Sequence, residues 1–283
     1  NEEADDYSDV IALTDALTNS SDETFPTRAD EVADMRQWLR WFAVQAVLDN
    51  HEGALWLGVG DDYFLYHRPS DDRFVLISWD HDATFMYPDH TVWEPDWYAC
   101  PIVKRILHAP LFTRWYYQEI YALTQGAFSE AEMIPRIDAL PAVVDDGDRN
   151  YLKWYVPQRI DYLLHNEIPH TELGVSTNGG QDWSTSQTEI TLEGVCSVLR
   201  DVSVTQNGQP LDVTYPTETT WQVGTTLTMR DNVFVISDGR DTRTVRVFWD
   251  FFRGGVLTDD LTLPGSQLPY EINDTIVVPA GVT

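Results

Sequence analysis

At 283 residues, 43% of them hydrophobic and with 11 Trp, 13 Tyr and 11 Phe, the chain is long enough for two compact domains and too apolar for disorder. Its 46 acids against 18 bases give a net charge of −28, a field that repels phosphate backbones and anionic lipid and so excludes nucleic acid and acidic membranes as expected partners. No apolar run reaches the ~18 residues of a membrane span, and no signal peptide is visible.

The chain opens at Asn1, without Met, in an acidic run (Glu2, Glu3, Asp5, Asp6), and is expected to be a piece of a longer protein. The first strong element begins at Asp34. Met35, Trp38, Leu39, Phe42 and Ala46 recur at three- and four-residue steps, which predicts an amphipathic helix with Asp34 as its N-cap. The helix runs into the polar cluster Asp49, Asn50, His51 and Glu52, with Gly53 as its stop. Asp62–Arg68 then reads as a strand, 69–72 as a short polar link, and Arg73 onward as the second strand of a hairpin.

That second strand ends in Trp79-Asp80-His81-Asp82-Ala83-Thr84-Phe85. If the pleat continues, its period of two puts Asp80 and Asp82 on one face. Two adjacent carboxylates repel unless a cation or strong donor sits between them, and hard divalent ions prefer such oxygen ligands. A metal site at a strand end is therefore expected. The competing reading is an ordinary acidic surface turn.

The order of helix, polar loop, hairpin and acidic pair, with these residues, resembles the spore-coat protein H (CotH) kinase family of secreted or surface atypical kinases. Asn50-His51-Glu52 matches the family's Asn-x-Asp. Asp62-Tyr63-Phe64-Leu65-Tyr66 matches its Asn-Tyr-x-Leu-Tyr strand, and Trp79–Phe85 its Trp-Asp-x-Asp segment. Further helices around 101–107 and 112–116, and a run closing near 159–163, extend the likeness over roughly residues 5–167.

The resemblance implies ATP with Mg²⁺ or Mn²⁺ as cofactors, Ca²⁺ being the alternative ion, and a protein or small-molecule phosphoacceptor. It implies that Asp80 and Asp62 contact the metal–nucleotide, that Asp80, Asp82 and Asp62 are metal ligands, and that Glu52 stands at the catalytic base position, with Asp49 as the alternative base. Two positions depart from the family. Glu52 for Asp moves the carboxylate by a methylene, and a shift of about 1 Å can cost ~100-fold in rate. Asp62 for Asn adds a charge. A kinase also needs a lysine and a phosphate-covering loop. No Gly-rich loop precedes the helix, and Arg28 is the only basic residue before it. The chain is thus expected to hold the C-terminal lobe of a kinase without the N-terminal one.

Past residue 167 the texture changes. Asn178-Gly179-Gly180 is dense in turn formers, and short alternating strands follow at 189–194, 202–205, 211–214, 219–223, 226–229, 232–237 and 244–249. Asn207-Gly208 is a two-residue hairpin signal. This pattern predicts a β-sandwich and resembles the Ig-like modules of secreted bacterial proteins. Residues 268–283 resemble the opening turn of a parallel β-helix, with Thr283 expected at a fragment edge. Cys100 and Cys196 are expected to be two separate buried thiols, and the seven histidines show no metal spacing, although His51 and His81 flank the acidic clusters.

The expected fold class is therefore α+β and multidomain. A mostly helical kinase-like lobe with one hairpin (1–169) is followed by an all-β sandwich (170–254) and a β-helix-like tail (255–283). The expected function is that of a secreted or cell-surface protein kinase acting on Ser/Thr, truncated here, with neighbouring domains of a longer parent chain as partners. The alternative is a non-catalytic, pseudokinase or calcium-binding scaffold of a large surface protein. A hydrolase pairing Glu52 with Asp80 is the third reading.

Overall fold

The computed structural model describes residues 6–52, 55, 62–93, 95, 100–249, 255–257, 260 and 275–283. The chain divides into two compact units, Asn1–His170 and Thr171–Thr283.

In the first unit the described helices are α1 (Ser8–Asn19), α2 (Phe25–Val32), α3 (Met35–Leu48), α4 (Pro101–His108), α5 (Pro110–Gln125), α6 (Glu130–Asp138) and α7 (Asp146–Tyr162), the last closed by a π-helical turn at Leu163–Glu167. Helix α3 is the spine. The Asp34 side chain accepts the Gln37 N–H at its N-terminus, as a cap should. Its predicted stripe, Met35, Trp38, Leu39, Phe42 and Ala46, is buried throughout. It packs on α5, where Arg40 makes a paired contact with Glu119 (2.8 and 3.3 Å) and Arg36 lies 4.0 Å over the Trp115 ring. The helix stops at Leu48, not at Gly53, which lies outside the described residues. Asp49 takes a left-handed conformation (φ 49°, ψ 60°) that ends the ladder first.

Strands β1 (Tyr63–Arg68) and β2 (Arg73–Ser78) form the predicted antiparallel hairpin, with Tyr63 opposite Ser78 and Arg68 opposite Arg73. The hairpin is fastened to the N-terminal half of α3 by polar groups. The Gln37 amide bonds both the Leu76 carbonyl (2.6 Å) and the Leu76 N–H (2.9 Å), acting as a substitute for a neighbouring strand. The Trp38 indole and the Asp34 N–H both donate to the Phe74 carbonyl. Phe74, Val75 and Leu76 are buried, whereas Phe64, Tyr66, Ile77 and Trp79 remain exposed. The expected clean alternation along β2 is therefore lost, because α3 covers its middle and leaves its end open.

Among the described residues of the second unit, two larger sheets share one core. One runs β3 (Gly174–Val175), β5 (Glu189–Val195), β9 (Thr220–Thr226), β8 (Thr214–Thr217). The other runs β4 (Trp183–Thr185), β11 (Thr242–Trp249), β10 (Asp231–Ser237), β6 (Ser203–Gln206), β7 (Gln209–Leu211). Leu192, Trp221 and Val223 of the first sheet share one apolar core with Val204, Phe234, Ile236 and Val247 of the second. Asn207 and Gly208, both at positive φ, make the two-residue turn between β6 and β7. Two expected strands are not strands. Residues 211–214 straddle the end of β7 and the start of β8, and 227–229 follow the end of β9, because at both points the chain crosses from one sheet to the other.

A two-residue parallel ladder pairs β12 (Gly255–Val256) with β13 (Ile276–Val277). The remainder of the β-helix-like stretch, 268–274, lies outside the described residues. Both cysteines are free, Cys196 buried and Cys100 only half-buried.

Candidate functional site

The hairpin register decides what meets at its open end. One step beyond the last pair, Tyr63–Ser78, the Trp79 N–H donates to the Asp62 carbonyl (3.2 Å). Asp62 therefore lies beside the chain that enters Asp80. The pleat does not continue to Asp80 and Asp82 as expected. Strand β2 ends at Ser78 and Asp80 sits at φ 45°, in the left-handed region, which turns the backbone out of the strand. Asp80 and Asp82 therefore do not share a strand face.

Four carboxylates nevertheless come together. The Glu52 carboxyl is pushed above its ordinary value, first by a hydrogen bond shared with Asp82 and by the Asp82 charge, then by partial desolvation and by the charges of Asp62 and Asp80. Glu52, Asp80 and Asp82 are exposed and Asp62 is half-buried, so the cluster is open to solvent. Its oxygen-only donor set, crowded enough to favour a proton, fits a hard divalent cation.

The backbone under Glu52 is held by Asn50, which is buried. Its side-chain nitrogen donates to the Gln45 side-chain oxygen (2.7 Å), and its own oxygen accepts the Glu52 N–H (3.0 Å). The segment after Asp82 is tied back to the same place. The His51 N–H donates to the Ala83 carbonyl (2.9 Å) and the Phe85 N–H to the Leu48 carbonyl (2.6 Å).

Asp49 occupies a different setting. It is buried, and its two oxygens are taken up by the Tyr87 N–H (2.6 Å), His51 Nε2 (3.1 Å) and His90 Nδ1 (2.6 Å). The two imidazoles stack with centroids 5.1 Å apart. Among the described residues, Asp49, His51 and His90 form the one group whose ligand atoms lie within 4.8 Å of one another. Glu52, Asp62, Asp80 and Asp82 gather more loosely.

Two further residues brace this region. Arg159, fully buried on α7, donates to the carbonyls of Pro88, His90 and Ala46. The Tyr151 hydroxyl donates to the carbonyls of Phe85 (2.8 Å) and Met86 (2.9 Å), and its own proton is held more tightly by burial and by the charges of Asp49 and Tyr87. A groove of about 560 Å³ adjoins them, lined in part by Met86, Tyr87, Tyr151 and Trp154.

Asn50 and Arg159 fall in stretches the sequence marks but gives no role, and Tyr151 and His90 carry no sequence signal. No spacing rule links His90 to His51, 39 positions apart. Only the return of the chain after Phe85 brings them together. His81, expected to flank the acidic cluster, is half-buried, and its Nε2 is enclosed without a hydrogen-bond partner.

A search of curated proteins finds no match for this chain. A comparison with protein families matches the CotH kinase protein family over residues 1–191. The match takes in the whole of the first unit and ends within β5. That covers 191 of the 283 residues, and no described helix is long and apolar enough to cross a membrane. The family goes with a divalent metal, ATP and a phosphoacceptor, and on this match the chain belongs to the CotH kinase protein family.

Proposed function

We propose that the first unit carries the metal-binding and base-bearing half of a CotH-type site for transfer of the ATP γ-phosphate to a Ser or Thr hydroxyl. Asp62, Asp80 and Asp82 would hold the divalent ion, Mg²⁺ or Mn²⁺, with Asp62 and Asp80 facing the nucleotide. Glu52 would accept a hydrogen bond from the acceptor hydroxyl and orient it. The observation that carries this reading is the hairpin register, closed by the Trp79 N–H bond to the Asp62 carbonyl, which sets Asp62 beside the chain entering Asp80. When bound, such an ion offsets charge both on phosphate oxygens and on the carboxylates around it.

Asp49 suits a positioning role better than that of the base, because its oxygens already serve Tyr87, His51 and His90. Asn50 orients the Glu52 backbone. The aromatic-lined groove beside Tyr87 offers an acceptor segment a place to lie.

A scaffold reading is favoured by one specific observation. Arg28, the only basic residue ahead of α3, is engaged by Asp15 (3.3 Å). Phosphoryl transfer would then need cationic and backbone groups from beyond this segment, supplied by an N-terminal lobe of a longer parent chain. On this reading the same carboxylates bind Ca²⁺ and serve a structural end in a large secreted or cell-surface protein. The acidity of the chain and its two-sheet second unit suit that setting, and we assign the second unit as an Ig-like module (170–254) followed by the start of a β-helix (255–283).

Calorimetric titration of the chain with Mg·ATP, beside Asp80→Ala, separates the two. Binding that the variant loses supports the nucleotide site. Heat from Ca²⁺ but none from Mg·ATP in the wild type would sink the assignment of Asp62 and Asp80 to a metal–nucleotide and leave the scaffold.

A further inference from the structure

We propose that Asp49, His51 and His90 form a second metal centre, for a borderline first-row ion of the Zn²⁺ class, separate from the carboxylate cluster. It does not rest on the phosphotransfer reading.

The ligand geometry comes first. The left-handed cap at Asp49 sinks its carboxylate beneath the end of α3, where it is only 3% exposed. His51 presents Nε2 to one oxygen and His90 presents Nδ1 to the other. The two rings stack, with centroids 5.1 Å apart and 14° between their planes. The three ligand atoms lie within 4.8 Å of one another. Ligands bound at ~2.0–2.2 Å in a tetrahedral shell stand roughly 3.3 Å apart. The present N–O separations of 2.6 and 3.1 Å need only a small spreading to admit an ion.

The outer contacts are those of a held site. The Tyr87 N–H fixes the Asp49 carboxylate, the Ala83 carbonyl holds the His51 backbone, and buried Arg159 holds the His90 carbonyl. Such contacts orient ligands before the metal arrives. Two imidazole nitrogens and one carboxylate oxygen suit Zn²⁺ and its neighbours far better than Mg²⁺ or Ca²⁺, which take oxygen. The chain thus presents a nitrogen-bearing centre one residue from an oxygen-only cluster, through the neighbours His51 and Glu52. Bound there, the ion would clamp the segment that follows Phe85 to the end of α3.

Tag-free protein, stripped of metal with a chelator, should be titrated with Co²⁺ and then displaced with Zn²⁺. We expect one equivalent to develop the strong visible absorption of a four-coordinate Co²⁺ and Zn²⁺ to abolish it. His51→Gln and His90→Gln should each weaken Zn²⁺ binding by at least about 100-fold, while Asp80→Ala keeps it. X-ray absorption of the Zn²⁺-loaded wild type, which needs no variant, should show two imidazoles in the shell. An all-oxygen shell, no stoichiometric binding, or binding lost with Asp80→Ala but retained in both histidine variants would each overturn the assignment.

Discussion

The Trp79 N–H reaches the carbonyl of Asp62 across the open end of the hairpin, at 3.2 Å. Through that one bond, the register of two ordinary strands becomes a statement about charge. Asp62 and Asp80 are carried to the same mouth, and Glu52 and Asp82 join them there.

The first prediction concerns that mouth. Glu52 binds its proton more tightly in the folded chain than its ordinary value of 4.5 implies. Its contribution to stability is therefore fully present below about 4.5 and is lost as pH rises through the raised value. At neutral pH the ionised group is a net repulsion. Glu52→Gln should melt above the wild type near neutral pH, with the gap closing as the solution is acidified. Thermal melts of both proteins across that interval test this, and a gap that does not move with pH refutes it. Mg²⁺ should raise the wild-type Tm at neutral pH by relieving the same repulsion.

Arg159 gives a second prediction. Its buried guanidinium donates to three carbonyls on two separate stretches of chain. Arg159→Met should cost about 4 kcal/mol, since charged hydrogen bonds are lost and buried carbonyls are left unmet. Arg159→Lys should recover only part of this, because one ammonium cannot reproduce the planar fork. Urea denaturation gives both values. Full recovery by lysine would show that charge alone matters here.

In the second unit, a Cβ added at Gly194 would stand 2.0 Å from the Gly174 carbonyl oxygen and 2.7 Å from Trp221 Nε1. That indole donates to the carbonyls of Gly174 (3.1 Å) and Val195 (3.2 Å), so the close approach is part of the β3–β5–β9 seam. We expect Gly194→Ala to destabilise this unit by about 3 kcal/mol. A denaturation midpoint within error of the wild type would contradict the tight seam.

Asp238 supplies a pH prediction of opposite sign. Burial pushes its carboxyl up, but this is outweighed by hydrogen bonds from the Asp241 and Arg240 N–H groups and from Arg200, and the group is held below its ordinary 3.8. Its stabilisation is present in full above 3.8 and is lost as pH falls through the lowered value. Asp238→Asn should therefore be less stable than the wild type at neutral pH. The difference should shrink only at strongly acid pH, which denaturation midpoints measured over that range will show.

Parts of both units were legible in the sequence where their signals are local. The α3 stripe and the hairpin follow from spacing alone, and the Asn207-Gly208 turn follows from the backbone freedom of those two residues. The misreadings share a cause, since each depended on where the chain leaves a regular element. The pleat at Asp80 and the helix end at Asp49 were broken by single left-handed residues, and two strands were misjudged where the chain changes sheets. The partnership of His51 with His90 is not periodic at all. It exists because the segment after Phe85 folds back under α3, which no local pattern encodes.

The positive φ angles at Asp49, Asp62 and Asp80 have a bearing on how this site can vary. A left-handed position admits glycine and short polar side chains at little cost and resists almost everything else. Aspartate and asparagine are nearly the same size, so at such a position they exchange without disturbing the backbone. An asparagine in place of Asp62 would thus be a change of electrical charge at constant shape. At Asp62 the backbone sets no preference between acid and amide, whereas at Asp49 the three partners of its two oxygens do.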